Sequence, residues 1–356
     1  MSHLRPLTQE QIPALLTTWA AHQERVARGN ADRALWQRPL AHRRTVVEAW
    51  LRGFVANKSA QSRALVALRG KEVAAYLIAS EVRHSPNSGY RAYAPDHFLS
   101  IGGDEWGVGD PRDVDLLTKL YADLAAWGIS RGADAQMLAV LNGDTTTDFW
   151  LDLGFARQDR YAFLPLGATY PATAGLTVRH GGPTDLDYAA HFTLAEAHYH
   201  HAAPIFAFAP PDLDATRRQN MADHLTDPGN FILIAEANGV ALGGLSAFPL
   251  TDLGHWMPST TPTPCMYIDS AFVEPQARGR GVLRTLVAAL AQLAGQYGAG
   301  GLFVTYLPAN RGALRSWQGL GFQPLVTVHQ RRLDPRATQQ HRHANEESSA
   351  ESPNKG

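Results

Sequence analysis

The chain has 356 residues, with Lys and Arg totalling 32 against 33 for Asp and Glu, and a single cysteine. Near-neutral charge argues against a nucleic-acid binder that relies on phosphate neutralisation, and a lone Cys265 excludes an intramolecular disulfide and fits a reducing compartment. The best membrane-span candidate, Leu286 to Val304, is interrupted by Gln292, Gln296 and several glycines, and MSHLRPLTQEQIPALL lacks the regions of a signal peptide, so a cytoplasmic protein is expected.

The length points to two domains. In chain order, Thr8 to Ala27 and Thr45 to Ala56 predict helices, separated by a polar segment that ends in His42-Arg43-Arg44, expected to be a solvated face. Arg63 to Ser80 predicts a hairpin around Arg69-Gly70-Lys71-Glu72, and His84 to Asp96 a loop. A strand, Phe98 to Ile101, runs into Gly102 to Pro111. A helix over Val114 to Ile129, a strand over Gln136 to Leu141, a helix over Thr147 to Leu153 and a strand over Tyr161 to Leu166 follow. Residues 1–166 are thus expected to form one domain and Gly167 to Gly175 a linker.

After the linker the order repeats, over residues 176–334. Leu176 to Arg179 predicts a strand, Thr184 to His201 and Thr216 to Leu225 helices, and Phe231 to Phe248 a hairpin turning at Asn238-Gly239. A Pro/Thr-rich loop, Leu253 to Pro264, leads to a strand over Ile268 to Val273, which Glu274-Pro275 ends. Residues 335–356 are polar and expected to be disordered. Trp150-x-x-Leu153-Gly154-Phe155 matches Trp317-x-x-Leu320-Gly321-Phe322, an offset of 167 (321 minus 154), which makes the halves two copies of one α/β unit.

The second copy carries a ligand motif. Gln276-Ala277-Arg278-Gly279-Arg280-Gly281 lies between the strand and a run of Val282, Leu286, Val287, Leu290 and Leu293 at helical spacing. The first N–H groups of a helix lack partners and carry the positive end of its dipole. Gly279 and Gly281 let a pyrophosphate approach that backbone, and Arg278 and Arg280 add charge. The pattern Q-x-x-G-x-G after V-x-P resembles the acyl-CoA signature of the GNAT acetyltransferase superfamily. A second block matches the family's N-x-x-A-x-x-x-Y-x-x-x-G-F at every position but one: Asn310, Ala313, Gly321 and Phe322 are present, and Trp317 stands for the tyrosine.

The resemblance implies two tandem domains, each a mixed, mostly antiparallel sheet flanked by helices. It implies that Ala271, Phe272 and Val273 present backbone groups to the pantetheine arm of acetyl-CoA. The N–H groups of Arg278, Gly279, Arg280, Gly281, Val282 and Leu283 would hold the pyrophosphate, with Asn310, Ala313 and Trp317 beside the cofactor. At the same offset the first copy has Asp110-Pro111-Arg112-Asp113, a self-capped helix start whose carboxylates repel a pyrophosphate, so one functional copy is expected.

Amide formation needs a base for the amine and a proton for the departing thiolate. Asp269, which strand alternation puts with Tyr267, Ala271 and Val273, is the candidate base. Trp317 is no acid, which leaves Tyr306 or water. The His198-Tyr199-His200-His201 cluster lacks metal-ligand spacing, and no metal is expected. The leading expectation is direct transfer of an acetyl or other acyl group, not an aminoacyl group, to a primary amine in a ternary complex, by a monomer or homodimer without nucleic-acid or membrane partners. The alternative is a non-catalytic acyl-CoA sensor or scaffold. An aminoacyl-tRNA-using transferase is disfavoured by the intact glycine motif and the neutral charge.

Overall fold

The computed structural model describes residues 3–29, 39–57, 59–85, 88, 91, 93–167, 173–208, 212–251, 264–336 and 338–340. The middle of the first polar segment, most of the linker, most of the Pro/Thr-rich loop and the tail from residue 341 lie outside them.

The first half runs β1 (His3–Pro6), α1 (Ile12–Gly29), α2 (Leu40–Asn57), β2 (Ser62–Arg69), β3 (Glu72–Arg83), β4 (His97–Ile101), β5 (Trp106–Val108), α3 (Asp115–Ser130), β6 (Ala135–Leu141), α4 (Thr147–Asp152) and β7 (Ala156–Pro165). The second runs β8 (Thr177–His180), α5 (Leu186–His201), α6 (Leu213–Thr226), β9 (Phe231–Ala237), β10 (Val240–Leu250), β11 (Cys265–Val273), α7 (Val282–Gln296), β12 (Gly301–Tyr306), α8 (Arg311–Gly319) and β13 (Gln323–Arg332). The predicted helices and hairpins are present, and Asn238 and Gly239 turn the second hairpin with φ of 51° and 76°. β1, β5, α8 and β13 are not among the predicted elements. Arg43 departs from its expected solvated face: it is buried, donates to Gln23 Oε1 at 2.9 Å and lies over the Trp19 ring.

All strands join one sheet, and its centre is shared. β13 lies between β6 and β7, and β7 between β13 and β12, with every one of these pairings antiparallel. Each half therefore ends in a strand that hydrogen-bonds the other half. β7 and β13 are 167 residues apart at both ends (323 minus 156, 332 minus 165). Where they pair, Arg160 faces Thr327, again 167 apart. Equivalent residues meeting in an antiparallel pair relate the two halves by a local twofold axis.

The cleft of the second half arises from one extra residue. Ser246 of β10 faces Ser270 while Ala247 faces Ile268, so Asp269 is a β-bulge. Parallel pairing of β11 with β12 runs from Met266–Leu302 to Ile268–Val304 and ends at that bulge. Beyond it, Asp269 to Val273 and Thr305-Tyr306 line one cleft. The bulge also reverses the strand's alternation. Ala271 and Val273 pack with Met266 and Ile268 in the core beneath α7, whereas Tyr267 lies with Phe248 and Phe303 on the other face. The expected common face of Tyr267, Ala271 and Val273 is thereby corrected.

In the first half the equivalent region is filled. β4 stops at Ile101, and the chain re-enters as β5 against β3. The Trp106 indole donates to the Ala139 carbonyl at 2.9 Å, and its ring meets Trp150 and His22 edge-on at 5.2 and 4.9 Å. Arg25 of α1 donates to the Val108 and Gly109 carbonyls. Asp110 accepts from the Arg112 N–H at 2.9 Å, with Pro111 at the first helical position.

Candidate active site

The cleft holds about 490 Å3 and runs from the start of α7 to the end of α5. At its α7 end, Gly279 and Gly281 have φ of 78° and 82°, which side chains disfavour. Gly281 precedes the first turn of α7 and has no side chain to cap it, so the N–H groups of Val282, Leu283 and Arg284 have no partner within the helix. A Cβ at Gly279 would meet nothing within 4 Å, whereas at Gly281 it would lie 2.6 Å from Thr173 Oγ1 of the linker.

The arginines divide. Arg278 Nε donates to the Val273 carbonyl at 3.2 Å, and its guanidinium lies 5.9 and 5.8 Å from the Tyr199 and Phe272 ring centres. Arg280 is exposed and does not line the cleft. Arg284 and Arg315, which sequence reasoning missed, do line it. Helical spacing was their only signal: Arg284 lies three residues after Gly281, and Arg315 three after Gly312.

Asn310 Oδ1 accepts from the Ala313 N–H at 3.0 Å and so caps α8. Because an N–H needs an oxygen acceptor, this fixes the amide's orientation and points Nδ2 at His200 Nε2, 3.2 Å away. Nε2 accepts, so His200 carries its proton on Nδ1 and is neutral. Burial lowers its pKa to about 4, with the His201 and Arg217 charges acting the same way. The other two histidines turn elsewhere: His198 to Asp214 at 3.3 Å, and His201 to the Ala207 carbonyl at 2.8 Å.

Ala271, Phe272, Val273, Val282, Leu283, Ala313 and Trp317 all line the cleft with the two candidate catalytic residues, Asp269 and Tyr306. Trp317 is buried and meets Phe322 edge-on at 5.1 Å, as Trp150 meets Phe155 at 5.7 Å in the first half. Both halves therefore hold a tryptophan in the same pairing, and Trp317 also lines the cleft. Burial raises the Tyr306 hydroxyl, opposed by Arg160 of β7. Asp269 Oδ2 lies 3.5 Å from the Ser246 hydroxyl.

The group that the sequence hid is Glu196. It lies on α5 one turn before His200, lines the cleft and accepts a hydrogen bond from the Ser270 hydroxyl. The residue keeps partial exposure through the cleft, but its carboxyl is enclosed by protein. That enclosure raises its pKa to about 7, with the Ser270 hydrogen bond and the Arg217 charge opposing and Asp269 adding to the rise. A carboxylate tuned to neutrality at the wall of a cleft is suited to taking a proton at neutral pH. No motif surrounds Glu196, so only the fold could reveal it.

Residues 195–322 match the model of the acetyltransferase (GNAT) family, so the second half carries a domain of that family. No curated protein matches the sequence. Among solved structures, a GCN5-related N-acetyltransferase from Sphaerobacter thermophilus is 19% identical, with 94% of this chain and 96% of that one covered and a TM-score of 0.54. This is a likeness of fold over the whole length. A tandem GNAT protein from the clavulanic acid biosynthesis pathway is 13% identical over 94% of this chain and 99% of that one, with a TM-score of 0.46. An aminoglycoside N-acetyltransferase, AAC(6')-Iy, is 22% identical over 44% of this chain and 93% of that one, at 0.36.

Proposed function

We propose that this chain, whose second half carries a GNAT domain, transfers an acetyl group from acetyl-CoA to a primary amine by direct attack in a ternary complex. The observation that carries the reading is the single cleft joining two chemistries: open helix-start donors with Gly279 and Gly281 at one end, and the enclosed Glu196 carboxyl at the other. The donors of Gly281, Val282 and Leu283 suit a pyrophosphate, and Arg284 and Arg315 supply charge at the same wall. The bulge frees the edge of Ala271 to Val273 from β12, which leaves backbone groups for an extended amide-bearing arm.

Acetyl-CoA supplies the thioester. Glu196 takes the amine proton, the nitrogen–carbon bond forms as the carbon–sulfur bond breaks, and the thiolate gains a proton from water or Tyr306. Asp269, the bulge residue next to Ser270, adds negative charge to the cleft wall that favours a cationic acceptor. Trp317 packs on Phe322 as Trp150 packs on Phe155, and turnover separates transfer from the sensor alternative. The test is a thiol-release screen with acetyl-CoA across small amines, amino acids, aminoglycosides, peptides and protein N-termini. Turnover with one class supports transfer; tight acetyl-CoA binding with no thiol release from any class refutes it.

A further inference from the structure

A side chain of the first half packs behind the cleft of the second, against residues of α5 and α6. Tyr93, in the loop between β3 and β4, is partly buried against Ala197 and Leu213 of α5 and α6. Arg217 of α6 donates from Nη2 to the Tyr93 hydroxyl at 2.7 Å, and its guanidinium lies 5.6 Å from the centre of the same ring. The edge of that ring meets His200 at 6.3 Å. Arg217 is only 7% exposed, and Nε has no hydrogen-bond partner. Among the described residues its hydrogen bond goes to a hydroxyl and not to a carboxylate. A buried guanidinium without a carboxylate in contact is costly to keep, yet its charge is felt by both cleft carboxylates, Glu196 and Asp269.

We infer that Tyr93 is a positioning residue for the active site of the other half, holding the Arg217 charge behind the Glu196 and Asp269 carboxylates. The inference rests on Glu196 being the base. The groups around that carboxyl are Ser270 and Asp269 from β11, Arg217 from α6, Tyr93 from the first half, and Tyr199 and His200 on α5 itself. Of these, Arg217 is the cation that favours the ionised form of Glu196, and enclosure opposes it. Among the described residues, the Tyr93 hydroxyl is the hydrogen-bond partner that fixes where the charge of the long Arg217 side chain sits. The duplicated half, its own cleft filled, would thereby act in the chemistry of its twin.

The test is the pH dependence of Arg217→Gln, Tyr93→Phe and the double variant, read in two ways. One reading is kcat/KM for the amine found in the thiol-release screen, at saturating acetyl-CoA. The other is a 13C-carboxyl NMR titration of glutamate-labelled protein, with Glu196 assigned by its loss in Glu196→Gln. Arg217→Gln is expected to move the midpoint up by about one unit, so that rate near pH 6 falls about tenfold and recovers by pH 9. Tyr93→Phe keeps the ring and moves the midpoint less in the same direction. The double variant moves it no further than Arg217→Gln, because Tyr93 acts through Arg217. An unmoved midpoint in folded variants, or additive shifts in the double variant, overturns the inference. Should Arg217→Gln fail to fold, the milder Tyr93→Phe decides the question alone. Should no amine be turned over, the transfer reading fails by the screen, and the NMR titration still decides whether Tyr93 and Arg217 set the Glu196 proton.

Discussion

Glu196 and Trp317 show how much a residue's chemistry depends on what encloses it. If Glu196 is the base, activity depends on its ionised form, so kcat/KM rises with pH through about 7 and then levels. Glu196→Gln is expected to lower turnover by about 10²–10⁴-fold, abolish that limb and leave acetyl-CoA affinity unchanged. Steady-state kinetics with calorimetry separate these effects; a variant that keeps its turnover and its pH profile would show that another group takes the proton. Trp317→Phe keeps an aromatic ring against Phe322 and should hold turnover within about threefold. A folded, CoA-binding Trp317→Phe that loses a hundredfold or more contradicts the packing role. Gly279 and Gly281 were legible as a glycine turn before a helix and Asn310 through the family motif it resembles; the positive φ values and the helix cap are what the structure adds. Glu196 was not: an acid on a helix looks like any solvated acid until Ser270, 74 residues away, closes over it.

At the scale of the element, one inserted residue and one exchanged strand shape the site. The bulge at Asp269 was invisible to an alternation rule, because it is fixed by pairing with β10 and not by the strand's own sequence. β13 was missed as a strand although Leu325-Val326-Thr327-Val328 is rich in β-branched residues; the duplication offset from β7 was the signal available. The exchange buries Asp159 of β7 opposite Val328. Burial alone raises its pKa from 3.8 to about 7, so the folded state holds that proton more tightly than the unfolded chain. Its contribution to stability is full below about pH 4 and is lost as pH rises through about 7, by up to about 4 kcal/mol. Asp159→Asn should therefore flatten the pH dependence of denaturant unfolding between pH 4 and 8, relative to the parent chain. The same slope in both would mean that Asp159 is already ionised in the folded protein.

For the whole molecule, the two halves are legible in the sequence as a repeat, but their joining is not. A repeat offset says that two copies exist; it does not say that β7 pairs β12 and β13 pairs β6. A fragment of residues 176–340 would expose the β12 edge, remove Arg160 from beside Tyr306, and remove Tyr93 from Arg217. It is expected to aggregate or to lack cooperative unfolding by circular dichroism, and co-expression of residues 1–175 to restore it. A soluble, cooperatively folded fragment would refute the need for the exchange. The asymmetry between the copies is equally a property of the whole chain, since Trp106, Arg25 and Asp110 close in one half what the bulge opens in the other. The most direct test of the central claim is a calorimetric titration of the full chain with acetyl-CoA. One site per chain is the result expected from a cleft that is open in the second half and filled in the first; two equivalent sites, or none, would contradict the account.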